Sequence, residues 1–327
     1  MELRDTFDRR IDYIRVSVTD RCNLRCVYCV PDGAPPRCLK PSPPLAAEKL
    51  IAFLKVAKRY GLRKVRLTGG EPLLRKDITR IVRAIKDIGV EDLGLTTNGQ
   101  LLPLFARRLK RAGLDRVNIS LDSLRPERYR RITGGGCLRN VYRAIESACG
   151  AGLAPVKVNV VLIRGINDDE IGEFAAIALE RDWHIRFIEL MPVRGKPMPA
   201  GRGFSSLDGM RVTADEAKKS ICDAVGRLVP IGRSGSSDNY RFWAGGAGVI
   251  GFISPMSHHF CDSCNRLRIT AAGKIRPCLF SDCELDLNAV SNENEMERLL
   301  LASVRGKAKG SLLKKAVPCE AMSLIGG

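Results

Sequence analysis

The chain has 327 residues, with 54 Lys and Arg against 36 Asp and Glu, a formal net charge of +18. That length suits one large domain and one small one, and 45% hydrophobic with 28% charged residues excludes a disordered, collagenous or fibrous chain. Uninterrupted apolar runs, such as Val160 to Ile163, are far short of the roughly 20 residues of a membrane span, and the start M-E-L-R-D-T-F-D lacks the apolar stretch of a secretory signal, so a soluble, cytoplasmic protein is expected.

The first two-thirds predict alternating strands and helices. Strands are expected at 14–19, 64–68, 93–97, 116–121, 156–163 and 185–190, and helices at 46–60, 78–88, 101–112, 141–148 and 171–180. Asp77 and Asp168 are placed to cap helix starts, and Gly61, Gly89, Gly113 and Gly152 to follow helix ends. Such alternation implies a parallel sheet. Six units rather than eight suggest an incomplete (β/α)6 TIM-type barrel, with a doubly wound open sheet as the alternative. Polar residues gather where the strands end: Gly69, Gly70 and Glu71; Thr97 and Asn98; Ser120 and Asp122; then Met191. Chemistry in parallel α/β folds sits at those ends, so one site is expected at the barrel mouth.

Past a Gly/Pro-rich loop at 192–209 a helix is predicted at 213–225. Beyond it come β-like runs at 240–243 and 249–254 and a hairpin across Ala272-Gly273. The expected division is therefore a barrel over 1–225 and a smaller C-terminal α+β domain over 226–327. The tail from Gly306 is basic and ends in Gly326-Gly327.

Twelve cysteines in a reducing compartment suggest metal binding rather than disulfides. Cys22, Cys26 and Cys29, spaced C-x3-C-x2-C, lie in the loop after the first strand. Three thiolates would leave one iron of a 4Fe–4S cluster without a protein ligand, whereas structural zinc takes four. Cys261, Cys264 and Cys278 form a second set, C-x2-C-x13-C, whose spacing alone suits zinc as well as iron–sulfur. Cys283 could complete a closed four-ligand site there. His258 and His259 read as exposed loop residues, and Cys38, Cys137, Cys149, Cys222 and Cys319 as buried or incidental thiols. The net charge calls for a polyanion, either nucleic acid or a small substrate such as a nucleoside triphosphate, while Arg107-Arg108-Leu109-Lys110-Arg111 reads as a solvated helix face.

The runs V-T-D-R-C-N-L-R-C-V-Y-C, R-L-T-G-G-E-P-L, L-T-T-N-G, N-I-S-L-D-S and M-S-L-I-G-G carry a resemblance. The sequence resembles the radical S-adenosylmethionine (SAM) superfamily and, within it, the GTP 3′,8-cyclase family of molybdenum cofactor biosynthesis. The likeness spans about 12–191, resumes at 260–279 and returns at the extreme C-terminus, with a weak match between 192 and 251.

The resemblance implies two 4Fe–4S clusters, one on Cys22, Cys26 and Cys29 and one, in the C-terminal domain, on Cys261, Cys264 and Cys278. It implies SAM contacts from Tyr28, Gly70, Ser120 and Met191, and GTP contacts from Arg15, Arg66, Thr97, Lys157, Arg266 and Arg268. Arginine suits phosphate and purine edges because its planar fork donates in pairs. Ligation by Cys283 would close the open iron of the second cluster. The implied reaction starts with reductive cleavage of SAM to a 5′-deoxyadenosyl radical, which takes hydrogen from the ribose 3′ carbon. Attack on guanine C8 then gives 3′,8-cyclo-7,8-dihydro-GTP. The implied partners are an electron donor such as flavodoxin or ferredoxin and the downstream cyclic pyranopterin monophosphate synthase. A homodimer is compatible, neither membrane nor nucleic acid is expected, and Gly326-Gly327 would reach the site. Three rivals predict other signatures. A radical SAM peptide-maturation enzyme would carry a winged N-terminal segment and more downstream cysteines. An RNA-modifying radical enzyme would bind RNA with steep salt dependence, and a zinc-stapled nucleic-acid-binding protein would hold zinc without iron.

Overall fold

The computed structural model describes residues 2–29, 43–191, 209–281 and 283–310. In chain order the barrel part comprises β1 (Tyr13–Ser17), α1 (Ala47–Arg59), β2 (Lys64–Thr68), α2 (Ile78–Asp87), β3 (Asp92–Thr97), α3 (Leu102–Arg111), β4 (Arg116–Ser120), α4 (Pro126–Thr133), α5 (Leu138–Gly150), β5 (Lys157–Leu162), α6 (Ile171–Glu180) and β6 (His184–Glu189). There follow α7 (Ala214–Ala224), β7 (Leu228–Ser234), β8 (Ser237–Phe242), β9 (Val249–Ile253), β10 (Arg266–Ile269), β11 (Lys274–Arg276), β12 (Leu285–Asp286) and α8 (Glu293–Arg305).

Apolar side chains at helical spacing explain the outer layer. Ile78, Ile81, Val82 and Ile85 put every buried side chain of α2 on one face, and α3 buries Leu102, Ala106 and Leu109 while its arginines stay exposed, the solvated face expected there. The strands alternate. In β2, Val65 and Leu67 are buried on the opposite parity from Lys64, Arg66 and Thr68, and in β5 and β6 half-buried and buried positions alternate strictly. The helix-facing parity is apolar and the other parity is polar. An ordinary α/β barrel fills its interior with Val, Ile and Leu; this one lines it with charge.

One sheet of 12 strands runs β12-β11-β10-β1-β2-β3-β4-β5-β6-β9-β8-β7. Its stretch from β10 through β1–β6 to β9 is parallel throughout, and among the described residues no bridge joins β9 to β10, so the barrel is open there. The C-terminal strands are built onto both edges of the barrel: β9 extends it beside β6, and β10 extends it beside β1. The division expected at 225/226 is thus crossed by continuous strand pairing, with β8 and β7 antiparallel on one edge and β11 and β12 antiparallel on the other. Aromatic packing secures the first junction, where Phe187 of β6 stacks on Phe252 of β9 at 5.9 Å and meets Phe174 of α6 edge-on at 6.3 Å.

Because β9 parallels β6 and β10 parallels β1, segment 254–265 must carry the chain from the C-terminal rim of the barrel back to its N-terminal rim. That crossing places the second cysteine set.

Several local expectations differ. Asp77 stands at the α2 N-cap position, but its carboxylate pairs with Arg75 at 2.8 Å instead of capping. Asp168 opens a short 3₁₀ turn and accepts from Gly165 N at 2.7 Å, while Glu170 precedes α6. Thr213 and Glu216 do form a capping box at the start of α7. Neither α4 nor α8 was anticipated: α4 is short and buries only Tyr129, Ile132 and Thr133. Among the described residues no helix is long and apolar enough to cross a membrane.

Candidate functional site

The loop after β1 carries Cys22, Cys26 and Cys29, all half-buried. Backbone bonds lay it on the end of α4: Arg25 N donates to Thr133 O at 2.8 Å and Val27 N to Ile132 O at 2.9 Å. On its other side lies the Gly69-Gly70-Glu71 turn. Gly70 N donates to Thr19 O and Glu71 N to Arg21 O, each at 2.7 Å. A Cβ on Gly70 would fall 2.3 Å from Arg21 O, and Gly69, at φ +154°, would meet Thr19 O at 2.4 Å. The glycines are therefore needed first for backbone-on-backbone packing against the cysteine loop.

Glu71 fixes this corner. Fully buried, its carboxylate accepts from Leu73 N at 3.0 Å, Thr97 Oγ1 at 2.8 Å and Asn98 N at 2.8 Å, and burial pushes its pKa up to about 7 against those donors. Asn98 in turn donates to Cys22 Sγ at 3.8 Å and Asn23 Oδ1 at 2.8 Å. Each partner of Glu71 is a donor, so an amide at this position would turn an NH2 toward a backbone N–H. Glu71→Gln is expected to cost about 1–3 kcal/mol, seen as a lower Tm in thermal unfolding, together with weaker iron retention by the first cysteine set.

Tyr28 donates its hydroxyl to Asp122 Oδ2 at 2.7 Å, and Asp122 Oδ1 accepts from Val161 N at 2.9 Å. Burial raises Asp122 to about 6. Gly70, Ser120 and Met191 stand at or just past the C-terminal ends of β2, β4 and β6, so the residues expected to contact SAM share the rim of the cysteine loop. Left as thiols, Cys22 and Cys26 are poor acids. Burial drives Cys22 up to about 11 and Cys26 well above the usual thiol range, with Asp122, Cys29 and Cys22 adding to the rise at Cys26. Among the described residues no three His, Cys, Asp or Glu side chains stand at the spacing of a single-ion site. The donor set is three sulfurs on one loop that only a metal centre would hold as thiolates, and among the described residues no fourth cysteine stands on that rim, which fits an iron–sulfur cluster with one open corner.

Below that rim the lumen is lined by cations. Arg15 pairs in register with Arg268 on one side and Arg66 on the other, and Arg66 with Gly94. Arg66 and Arg268 are 6% and 7% exposed. A Cβ at Gly94 would lie 2.0 Å from Arg66 Nη1, so only glycine leaves room for that guanidinium. Lys157 stands in register with Asn118 and His184. Arg186 reaches Asn159 Oδ1 at 2.6 Å, and Arg66 touches Asn118 Oδ1 at 3.4 Å. The Nε atoms of Arg66 and Arg186 are buried without a hydrogen-bond partner.

The electrostatics express the crowding. Burial, then Arg186, Arg116 and Arg66, push Lys157 down to about 7, and burial followed by Arg66 lowers Arg186 to about 9. Burial and then Arg15 and Arg266 do the same to Arg268, again about 9. At Tyr13 burial works upward, yet Arg15, Arg66 and Arg266 outweigh it and bring the phenol to about 7. Like charges about 4 Å apart at an effective dielectric near 20 cost about 4 kcal/mol per pair, so this lumen asks for an anion of several charges.

Thr97 lies elsewhere. It follows the outer parity of Leu93 and Leu95, opposite Gly94 and Thr96, and its hydroxyl donates to Glu71 and accepts from Gly99 N at 3.1 Å. It frames the rim rather than lining the cation chamber. Lumen-facing neutral groups include Thr96, Asn118 and Asn159, which sequence reasoning passed over along with Arg186 and Tyr13. The alternation in H-I-R-F-I-E could have revealed Arg186, since it repeats that of I-R-V and V-R-L.

The second set stands at the opposite end. Cys261 opens a 3₁₀ turn and Cys264 precedes β10, where Tyr13 N donates to Asn265 O at 3.3 Å, and Cys278 follows β11. Two three-cysteine sets thus bracket the lumen, separated by the length of β1, about 16 Å for five residues. Cys261, Cys264 and Cys278 are half-buried, whereas Cys283 is exposed. Burial raises Cys264 but Arg266 and Lys307 more than offset it, leaving about 7, so this sulfur is the readier to ionise and bind metal. Arg266 lies over the Phe260 ring at 4.9 Å. His258 pairs with Asp215 at 2.8 Å and His259 contacts Pro255 O at 2.6 Å, away from any ligand role here. Cys137, Cys149 and Cys222, expected as buried or incidental thiols, are exposed. Cys38, Cys319, the 192–208 loop and Gly326-Gly327 lie outside the described residues.

Comparison with known proteins identifies the family. Residues 16–178 match the family described as Radical SAM superfamily, and residues 183–312 that described as Molybdenum Cofactor Synthesis C. The chain is 47% identical over 310 residues to the GTP 3′,8-cyclase of Heliobacterium modesticaldum, covering 93% of this chain and 92% of that protein. It is 42% identical over 332 residues to the GTP 3′,8-cyclase of Thermodesulfovibrio yellowstonii, covering 99% and 100%. Among solved structures, Streptococcus suis SuiB bound to S-adenosylmethionine superimposes with a TM-score of 0.62 at 14% identity, over 92% of this chain and 69% of that one, a likeness of fold.

Proposed function

The chain belongs to the GTP 3′,8-cyclase family of the radical SAM superfamily, and we propose that its two cysteine sets and the cationic lumen between them form a single active chamber. The activity is conversion of GTP to 3′,8-cyclo-7,8-dihydro-GTP in molybdenum cofactor biosynthesis, with SAM and two 4Fe–4S clusters as cofactors. The observation that carries the residue assignment is the lumen itself: a barrel interior crowded with Arg15, Arg66, Lys157, Arg186 and Arg268 instead of apolar packing.

In this reading Cys22, Cys26 and Cys29 hold the first cluster, and Tyr28, Gly70, Ser120 and Met191 seat SAM beside it. Cys261, Cys264 and Cys278 hold the second cluster, with Cys283 outside it. Residues 1–225 furnish the SAM side and 226–327 the second cluster. When bound, the first cluster and SAM supply the radical abstraction of hydrogen that no side chain here can perform. The chain's own residues do the rest. Arg15, Arg66, Lys157, Arg266 and Arg268 neutralise the triphosphate and hold the ribose between the rims, with Thr97 stiffening the rim through Glu71. Asp122 orients Tyr28, and the enclosed strands keep bulk water from the ribose. A flavodoxin or ferredoxin serves as electron donor, and cyclic pyranopterin monophosphate synthase takes the product.

Anaerobic protein incubated with SAM, dithionite and GTP should form 5′-deoxyadenosine and the cyclised nucleotide together, with little 5′-deoxyadenosine when GTP is left out. Equal 5′-deoxyadenosine with and without GTP, and no cyclised product, would overturn the reading.

The depressed Lys157 gives a further expected result. Free protein above pH about 7 holds it largely neutral; a bound triphosphate favours the ammonium and draws its pKa back up. Lys157 then takes up close to one proton on binding at pH about 8.5 and little at pH about 6, and affinity weakens as pH rises between them. Calorimetry in buffers of different ionisation enthalpy measures the uptake; Lys157→Arg should remove the Lys157 share and leave that of Tyr13.

A further inference from the structure

The two ends of the described chain meet at the second cysteine set. Arg9, whose side chain is 9% exposed, spends its guanidinium on three acceptors: Asp5 Oδ2 at 2.6 Å, Cys261 O at 2.7 Å and Ala308 O at 2.8 Å. Asp5 is itself pinned, since its Oδ1 accepts from Phe7 N at 2.9 Å and Arg9 N at 3.0 Å. One residue before Ala308, the buried Lys307 donates to Arg266 O at 2.8 Å and Pro277 O at 3.0 Å. Arg266 lies two positions after Cys264, and Pro277 directly precedes Cys278. All three ligand-bearing segments are therefore tied by just two cations, one from each end of the chain. Burial works against the Lys307 charge, and the Cys264 and Cys278 sulfurs are the first groups that offset it.

We propose that Arg9 and Lys307 are positioning residues for the second cluster: they hold Cys261, Cys264 and Cys278 in register, and Lys307 places fixed positive charge beside its sulfurs. The inference rests on the assignment of that cluster to these cysteines. A backbone carbonyl next to a ligand is an acceptor that a neutral donor could satisfy equally well, so the hydrogen bonds alone do not call for two buried cations. A cluster carried by three thiolates does, because its net charge becomes more negative on reduction and nearby cations favour that state. The same contacts make assembly of the second site depend on docking of the segments around Arg9 and Lys307, whereas the first site, built on the β1 loop, does not need them.

The test uses full-length Lys307→Met, Lys307→Arg and Arg9→Gln, each alone for iron and sulfide content and each with Cys26→Ala for potentiometric EPR of the second cluster. Wild type should hold about eight irons and the Cys26→Ala protein about four. Lys307→Met should either lose about four irons while keeping the first cluster, or keep them with a more negative midpoint, a reduced-to-oxidised ratio about tenfold lower at fixed potential. Lys307→Arg should return both towards wild type. If Lys307→Met does not fold, Arg9→Gln, which keeps neutral donors, should show the same displacement in milder form. About eight irons and an unmoved midpoint in the folded charge-removing variants would overturn the proposal. About four irons in wild type would instead overturn the cluster assignment beneath it.

Discussion

Cys26→Ala is expected to abolish SAM cleavage altogether and to remove about four of about eight irons, leaving the second cluster intact. Cys26 is the middle cysteine of a loop whose backbone is already committed: α4 holds Arg25 and Val27 on one side, and the Gly69-Gly70-Glu71 turn packs on the other. No other described cysteine lies in that loop to replace it. Cys278→Ala should behave differently. The first site keeps its ligands and the Tyr28–Asp122 contact, so 5′-deoxyadenosine still forms, uncoupled, while cyclised product falls below detection. Iron analysis with parallel assays of 5′-deoxyadenosine and cyclised nucleotide separates the two variants. Full turnover by Cys278→Ala would make the second cysteine set merely architectural.

Arg66→Met should weaken GTP binding about a hundredfold or more, since losing one partner of a buried charge contact costs about 2–5 kcal/mol, and should at the same time raise the Tm of the free protein. The two signs come from one cause. Without an anion Arg66 is a buried cation beside Arg15, its contacts a long one to Asn118 and one to the Tyr13 hydroxyl, with an Nε that has no partner; replacing it by a flexible apolar chain of similar reach relieves about 1–3 kcal/mol. Arg186→Met, at the other side of the lumen, should repeat the pattern. Scanning calorimetry with and without GTP reads both effects: the free variant melts higher, and the upward shift on adding GTP shrinks. A variant that melts lower yet binds GTP normally would make Arg66 a structural residue.

The cysteine spacing and the G-G-E run were legible because their functional groups come from contiguous residues, where the geometry is written in the order of the chain. The lumen cations were half legible. Alternation in I-R-V, V-R-L and L-R-I shows that each arginine faces away from its apolar neighbours, and a charge at that parity in a buried strand is conspicuous. The same rule applied to β3 would have put Thr96 rather than Thr97 in the chamber, because Leu93 and Leu95 fix the outward parity. Asp77 and Asp168 looked like caps by residue type, yet an arginine neighbour and a turn amide claimed their carboxylates, a competition that propensity does not register.

By itself the sequence determined most of the order of strands and helices, the apolar faces of the barrel elements, and the cysteine sets and several of the charges proposed for the site, since these depend on side chains within a few positions of one another. Only the tertiary structure decided that β9 joins β6, that β10 joins β1, and that Arg9 meets Cys261 across 252 positions. Strand partners are chosen by the burial and backbone pairing of the whole sheet, a sum over distant segments that leaves no mark on any one of them. What reads along the chain as a C-terminal part therefore pairs with both edges of the barrel sheet.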